Sequence, residues 1–570
     1  MHEILTLSLS NKANHLATHF FNSQESYLDY TKGASHSITN PNVFLSSNLN
    51  RITNTLDFNP RAILWDFKNA FGSLNQYQYF ESFNDDNNNN NNNNSYNWDG
   101  EIIKIQQSRI EKNDYQKYLD GELESTKLQE IKLKKNNLLG LDNTLYWSDY
   151  SRVIYDRNSF NNLNDWEYHP IHYPNGKLKF HNNSNENRNK VPFNDFDQGV
   201  LEYDKVKLNY NEDYIENNIR YFIEKCDNLS GLNLIIDIDS GWPGLLNQFL
   251  EFIKDDYLNK KNLFTYGLFN NNVEKNKVSA GLISRIKSLV TILDSSTMFF
   301  PIDSLPKISK NYYLNNSNYN NKSSWHNAAI QFLNYENLNI LFCDKKLNIS
   351  MSHIENSLNI GSNRNIVGDI NSIIVDNSNN SNSNYTIDYS SSFFELELGN
   401  KRFQDKFNKF KNKNRQNKTF NKIYVSRTVL KNKNNEKNIN EEEEKENSKR
   451  IDDIIEKDQN KLISNGTNSN NLSKLHSNIG FLDNDNDSFP MDDLKLVKEN
   501  DNLISSYSIN DFNTRTYLNK LNFIVQNTGN RFFKMDDKEE KIDQLGTFAQ
   551  EYEFGYNSDD DYDDFDSDYY

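Results

Sequence analysis

The chain has 570 residues with 80 acidic against 63 basic side chains, a net charge of -17, and no strong basic patch beyond residues 401–418, which argues against nucleic acid as a direct partner. Its only cysteines, Cys226 and Cys343, sit in apolar patterns, excluding a disulfide framework or a four-cysteine zinc site and fitting a reducing compartment. The start of the chain lacks a basic n-region and has no arginine before Arg51, so neither a secretory signal nor an Arg-rich presequence is expected, and no apolar run approaches the roughly twenty residues of a membrane span.

In chain order, residues 1–21 (MHEILTLSLSNKANHLATHFF) predict a buried strand through Ile4, Leu5, Leu7 and Leu9, a polar turn at 10–12, and a helix with Leu16, His19, Phe20 and Phe21 at helical spacings. The turn then lies at the carboxyl edge of the sheet, where ligands of α/β proteins sit. PRAILWDF at 60–67, WSDYSRV at 147–153 and EKCDNLSG at 224–231 follow. Residues 214–226 place Ile215, Ile219, Phe222 and Cys226 on one helical face. An apolar strand at 234–238, a turn at 239–243 and an amphipathic helix at 244–257, with Leu245, Phe249, Phe252 and Ile253 inward, repeat the strand–turn–helix pattern. A strand at 263–268, a helix at 280–293 through Ile283, Ile286, Val290 and Leu293, and a short strand at 298–302 come next. From Trp325 onward Ala328, Ile330, Phe332 and Leu333 predict a helix, and 338–343 a strand that opens a second domain.

Low-complexity tracts interrupt this order. The asparagine runs at 87–94 and 377–384, and a charged stretch at 431–501 that includes Glu441 to Glu444, predict disordered insertions. Surface loops tolerate them because closure entropy rises slowly with length. KRFQDKFNKFKNKNRQNK at 401–418 reads as a solvated loop or, through Phe403, Phe407 and Phe410, as a segment lying on an anionic membrane. DDDYDDFDSDYY at 559–570 reads as a solvated acidic tail.

Laid without gaps against the tubulin amino terminus, Glu3, Ile4, Asn14 and Phe20 match, and Phe21 stands where tubulins carry tryptophan. With the blocks at 60–67, 147–153, 224–231 and 234–257, the chain resembles the Misato family, a divergent branch of the tubulin superfamily, over most of residues 1–350, with patches at 423–430 and 514–525. The resemblance implies a tubulin/FtsZ-like α/β fold: a mostly parallel sheet with helices on both faces, plus a second α+β domain. The implied division is a nucleotide-binding-type domain at 1–310 with an insert at about 84–97, the first part of a second domain at 311–430, a disordered linker at 431–501, a helical part at 502–555 and an acidic tail at 556–570.

The same register tests the nucleotide site. Ile238, Asp239, Ser240, Gly241, Trp242 and Pro243 stand where tubulins place the Gly-Gly-Gly-Thr-Gly-Ser of the phosphate loop. Phosphate binding there needs backbone N–H groups at close approach; proline removes a donor, tryptophan adds bulk and Asp239 repels phosphate. Ser10 and Asn11 replace the Gly-Gln of the first loop, Ile302-Asp303-Ser304 replaces the Ile-Asp-Asn that helps hold the base, and no Gly-x-x-Asn-x-Asp catalytic motif follows residue 260. These losses argue against GTP hydrolysis and predict no catalytic residue. Vestigial nucleotide loops built from Ser10, Asn11, Ser240, Gly241 and Gly244 leave GTP binding open, beside plain capping of the helix by Ser240 with Pro243 in its first turn. Asp237 and Asp239, two apart at a strand end, read as Mg2+ ligands or as turn and cap acceptors. His15 and His19 lack the glutamate of a zinc-protease helix, with Leu16 in its place, and His169 and His172 lack a third ligand, so no metal site is expected.

For function, the resemblance implies a non-enzymatic protein of mitochondrial distribution, morphology and inheritance, in the cytoplasm and peripherally on the cytosolic face of the mitochondrial outer membrane. Partners would be outer-surface proteins or lipids. Two alternatives stand beside it: a GTP-binding tubulin relative, and a factor in tubulin assembly working with a chaperonin.

Overall fold

The computed structural model describes residues 2–28, 39–49, 56–74, 110–122, 138–178, 192–210, 214–256, 261–270, 280–309, 318–375, 384–396, 418–428, 441–477, 479, 488–494, 501–529, 532–533 and 535–553. The expected insert at 84–97, nearly all of the 377–384 tract, residues 401–417 and the acidic tail lie outside them.

The first sheet has seven strands in the order β6-β5-β4-β1-β7-β8-β9: β1 is Glu3–Leu9, β4 Ala62–Lys68, β5 Phe160–His169, β6 Tyr173–Leu178, β7 Leu229–Asp237, β8 Asn262–Phe269 and β9 Met298–Asp303. All neighbours pair in parallel except the edge hairpin β5–β6. β1 and β8 are buried at every residue, as a parallel strand must be when helices cover both faces. The helix Asn11–Ser26 packs with Ser324–Cys343, whereas Phe196–Tyr210, Trp242–Asp256 and Ala280–Ser295 pack with one another, so the covering helices fall into two groups. This is the expected tubulin-like α/β architecture.

Two strands of a small hairpin, β2 (Leu45–Leu49) and β3 (Leu56–Pro60), precede β4. The second sheet runs β10-β12-β11-β15-β13-β14, with β10 Lys307–Ser309, β11 Asp369–Val375, β12 Asn384–Asp388, β13 Thr419–Thr428, β14 Leu472–Ser477 and β15 Asn502–Asn510. Its pairs are antiparallel except β13–β14. Ser324–Cys343 contacts β11, β13 and β15 as well as the first helix, so it lies between the two sheets.

Three expectations are corrected here. Residues 338–343 do not form a strand: the helix runs unbroken from Ser324 to Cys343, because an apolar run without a breaker, buried on all sides, suits a core helix equally well. The stretch 431–501 is no uninterrupted linker, since it contains the helix Glu441–Ser464 and β14. Ile451 and Ile455, one turn apart, bury against Val375, Tyr424 and Ile504, a stripe narrow enough to be hidden by the surrounding charge. Finally, 502–555 is not wholly helical: it opens with β15, the buried centre of the second sheet, before the helices Phe512–Asn527 and Met535–Glu551.

Candidate functional site

Parallel strands deliver their following loops to one edge, so the turns after β1 and β7 converge. They line a cleft of about 180 Å³ with Ser10, Asn11, Lys12, Asp237, Asp239, Ser240 and Trp242 among its walls. This is the place predicted for the vestigial nucleotide loops. It is smaller than the ~300–1,000 Å³ of sites that enclose a drug-sized ligand.

The first loop is held in an unusual backbone. Ser10 has φ 120 and ψ 158, a region essentially reserved for glycine. Three bonds impose it: Ser10 N–H donates to the Trp65 carbonyl (3.3 Å), the Ser10 carbonyl accepts from Asn14 N–H (2.9 Å), and Ser10 Oγ caps the helix by accepting from Ala13 N–H (3.2 Å). Asn11 lines the cleft with its side-chain amide already engaged. Its Oδ1 accepts from Tyr168 (3.2 Å) and its Nδ2 lies 3.4 Å from Asp66 Oδ2.

At the second loop the N–H groups of Gly241, Trp242 and Gly244 are already used. Gly241 N–H donates to the Phe193 carbonyl (3.0 Å), Gly244 N–H to the Gly241 carbonyl (3.1 Å), and Trp242 N–H to Ser240 Oγ (3.3 Å). Ser240 Oγ–H in turn bonds the Asp237 carbonyl at 2.6 Å. Pro243 offers no donor. The Trp242 ring, 1% exposed, packs 5.1 Å from Phe67 and 5.4 Å from Phe193, which itself meets Trp166 at 4.7 Å. Gly241 and Gly244 serve helix packing: a Cβ on Gly244 would lie 1.9 Å from the Phe196 carbonyl oxygen, and one on Gly241 2.8 Å from the Phe193 ring. Thus Ser10, Asn11 and Ser240 meet at the cleft, while the two glycines face the segment 193–200.

The carboxylates are compensated by protein cations. Lys12 Nζ reaches Asp237 at 2.8 Å, and Arg285 grips both oxygens of Asp239 at 2.6 and 2.7 Å. Asp239 also accepts from Asn270 N–H (2.7 Å). Burial disfavours the Arg285 charge, but the Asp239 carboxylate outweighs it and holds the guanidinium above its ordinary value. Among the described residues no three His, Cys, Asp or Glu side chains are placed to hold a metal. Asp303, expected near a base, instead accepts from Ser392 Oγ (2.6 Å) and Leu305 N–H (2.9 Å).

The histidines are structural. His15 Nδ1 pairs with the Tyr150 hydroxyl (2.8 Å) and His19 Nε2 with the Trp325 carbonyl (3.1 Å); burial pushes both rings down to about 3. The His169 and His172 rings pack at a 36° tilt with centroids 4.5 Å apart.

A family model described as Misato Segment II tubulin-like domain matches residues 2–121, and a model described as Tubulin domain matches 137–341. Protein DML1 of Kluyveromyces lactis is 30% identical over 390 residues, 65% of this chain and 74% of that protein. The chain belongs to the Misato family. Protein DML1 of Candida albicans is 27% identical over 98% of this chain and 99% of its own length. That of Debaryomyces hansenii is 35% identical over 53% of this chain and 58% of its own, so this match spans less than two thirds of that relative.

Within this member of the Misato family, four contributors to the site escaped the sequence reading: Lys12, Asp66, Phe193 and Arg285. Lys12 lay inside the predicted turn, and its position opposite Asp237 was the one available signal. Arg285 stands on a helix whose apolar face alone was read. Phe193 comes from a loop beyond the β5–β6 hairpin, and Asp66 from inside PRAILWDF, a block read only for its resemblance.

Proposed function

We propose that this Misato-family chain is a non-enzymatic, tubulin-shaped protein acting in mitochondrial distribution, morphology and organisation at the cytosolic face of the mitochondrial outer membrane. One observation carries the non-enzymatic part: the phosphate-loop equivalent spends the N–H donors of Gly241, Trp242 and Gly244 internally and buries Trp242 against Phe193. A loop that has committed these donors gives an incoming phosphate little to replace its hydration. The mitochondrial part is supported by the family resemblance, and no described helix is long and apolar enough to cross a membrane, which suits peripheral attachment through surface proteins or lipids.

The decisive measurement is the guanine nucleotide released when the native, full-length protein is denatured. The proposal expects far below one nucleotide per chain. A stoichiometric content overturns it in favour of a GTP-binding tubulin relative. Imaging of mitochondria after depletion tests the organelle role: unchanged distribution and morphology, with chaperonin or tubulin co-purifying, would transfer the protein to tubulin assembly.

A further inference from the structure

Two segments outside both sheets meet at the start of the central helix, Ser324–Cys343: the turn at 318–323 and the strap at 488–494. Both reach His326, whose side chain is 0% exposed. From the turn, Asn320 N–H donates to His326 Nδ1 at 3.1 Å, and the Tyr319 ring stacks on the imidazole with centroids 6.1 Å apart. From the strap, Asp493 Oδ2 lies 3.5 Å from Nε2. The turn also caps the helix: Ser323 Oγ accepts from His326 N–H at 3.4 Å, and Tyr319 and Asn321 bond the side chain of Asn327 at 2.9 and 2.8 Å. The strap is pinned at its other end. There the Ser488 carbonyl accepts from Trp325 Nε1 (3.1 Å), its hydroxyl from Asn22 Nδ2 (2.8 Å), and Phe489 packs against His19 and Phe332.

These contacts fix the state of the ring. A nitrogen that accepts a backbone N–H must present a lone pair, so Nδ1 carries no proton and the ring proton sits on Nε2, toward Asp493. Protonation would set a second donor against Asn320 N–H while giving Asp493 a cation to pair with. One proton therefore acts in opposite directions on the two holds of the same ring. The remaining groups around it are uncharged. His19 of the first helix donates through Nε2 to the Trp325 carbonyl and is kept neutral by burial; Trp325 lies alongside, with ring centroids 5.1 Å apart; and the Tyr319 phenol is pushed upward by burial. Among the described residues, Asp493 is the charge that acts on the ring.

We propose that His326 is a proton-operated toggle at the start of the central helix: neutral, it holds the turn at 318–323 through Nδ1; protonated, it expels the turn and uncaps the helix while keeping Asp493 of the strap. Burial disfavours the imidazolium more than Asp493 favours it, which holds the ring below its ordinary value. A folded-state value below the unfolded 6.5 means that the turn is closed at neutral pH and is lost as pH falls. Its opening should grow about tenfold per pH unit below 6.5 until the closed form itself takes up the proton.

Amide hydrogen exchange of the 318–327 peptide in the full chain, corrected for intrinsic rates, reads this opening. From about pH 7.5 to about pH 5 wild type should lose about tenfold protection there, while 488–494 keeps its own. His326→Asn places an amide oxygen where Nδ1 accepts and does not titrate, so its protection should be flat. Asp493→Asn removes the partner of the imidazolium, so its loss should exceed that of wild type. Equal protection at both pH values in wild type overturns the toggle, as does a loss that spreads to the strap, survives in His326→Asn or vanishes in Asp493→Asn. The wild-type profile and the Asp493 variant decide the matter where His326→Asn fails to fold.

Discussion

Ser10 shows how one residue can carry two opposed demands. As the cap of the first helix it supplies an oxygen to Ala13 N–H, which favours serine. As a residue at φ 120 it sits where glycine belongs, at a strain of about 1–3 kcal/mol. Replacing a serine cap by glycine costs only a few tenths of a kcal/mol, and the added freedom of the unfolded chain costs about 0.5–1 kcal/mol. Ser10→Gly should therefore stabilise the protein by about 1 kcal/mol, seen as a higher urea midpoint at unchanged slope. A lower midpoint would show that the cap outweighs the strain. That Ser10, Asn11 and Ser240 share a cleft was legible in the sequence, since each follows an apolar strand and parallel strands bring such turns to one edge. The Ser10 dihedral was not, because beside its local bonds to Ala13 and Asn14 it is fixed by a bond to Trp65, far away in sequence on β4.

Between elements, the closest approach is where Phe196–Tyr210 meets the start of Trp242–Asp256. Gly199 faces the Gly241 carbonyl, where a Cβ would lie 1.7 Å away, and Gly244 faces Phe196. Backbone atoms, not flexible side-chain ends, stand opposite both glycines, so the helices themselves must move apart to admit a methyl group. Gly244→Ala should then destabilise by about 2–3 kcal/mol, measured as a fall in thermal midpoint, and it should do so with or without guanine nucleotide in the buffer. Restoration of wild-type stability by nucleotide would place Gly244 back in a ligand loop. The strand, turn and helix read at 234–238, 239–243 and 244–257 stand at Leu229–Asp237 and Trp242–Asp256, and Ser240 Oγ takes the N–H of Trp242 at the helix start. Its glycines were assigned to phosphate because the sequence names no neighbour for them; only the packing shows that they serve Phe193 and Phe196. The same limit explains 338–343, where six apolar-rich residues fit strand or helix until their surroundings are known.

At the scale of the whole molecule, the two sheets are joined by a buried ion pair. Glu336 of the central helix and Arg427 of β13, both 0% exposed, approach at 3.1 Å. Glu336 also accepts from Ser23 Oγ (2.6 Å) and from the Tyr27 hydroxyl at the end of the first helix. Arg427 donates to the Ile479 carbonyl (3.0 Å) and to Tyr27 (2.9 Å). The first helix, the central helix and the second sheet thus meet on one pair of charges. Arg427→Ala should cost about 3–5 kcal/mol, since it strands a buried carboxylate, and replacing both partners by apolar residues of similar volume should recover much of the loss. Fluorescence and circular dichroism should report one lowered transition; a loss confined to the second sheet would show that the pair does not couple the halves.

By itself the sequence determined the opening strand, turn and helix, the strands and helices read from residue 214 to 302, and the family to which the chain belongs, because each is written in local spacing, residue type and ordered motifs; the elements between residues 22 and 213 were not read from it. Tertiary structure decided what local pattern leaves undetermined. Lys12 and Arg285 neutralise the carboxylates, Phe193 closes the loop, and Asn502–Asn510 becomes the centre of a sheet whose other strands lie up to almost 200 residues away. The physical reason is shared by all of them: charge compensation, strand pairing and the exclusion of water depend on which groups meet in space, and sequence separation says little about that once the chain has crossed the sheet and returned.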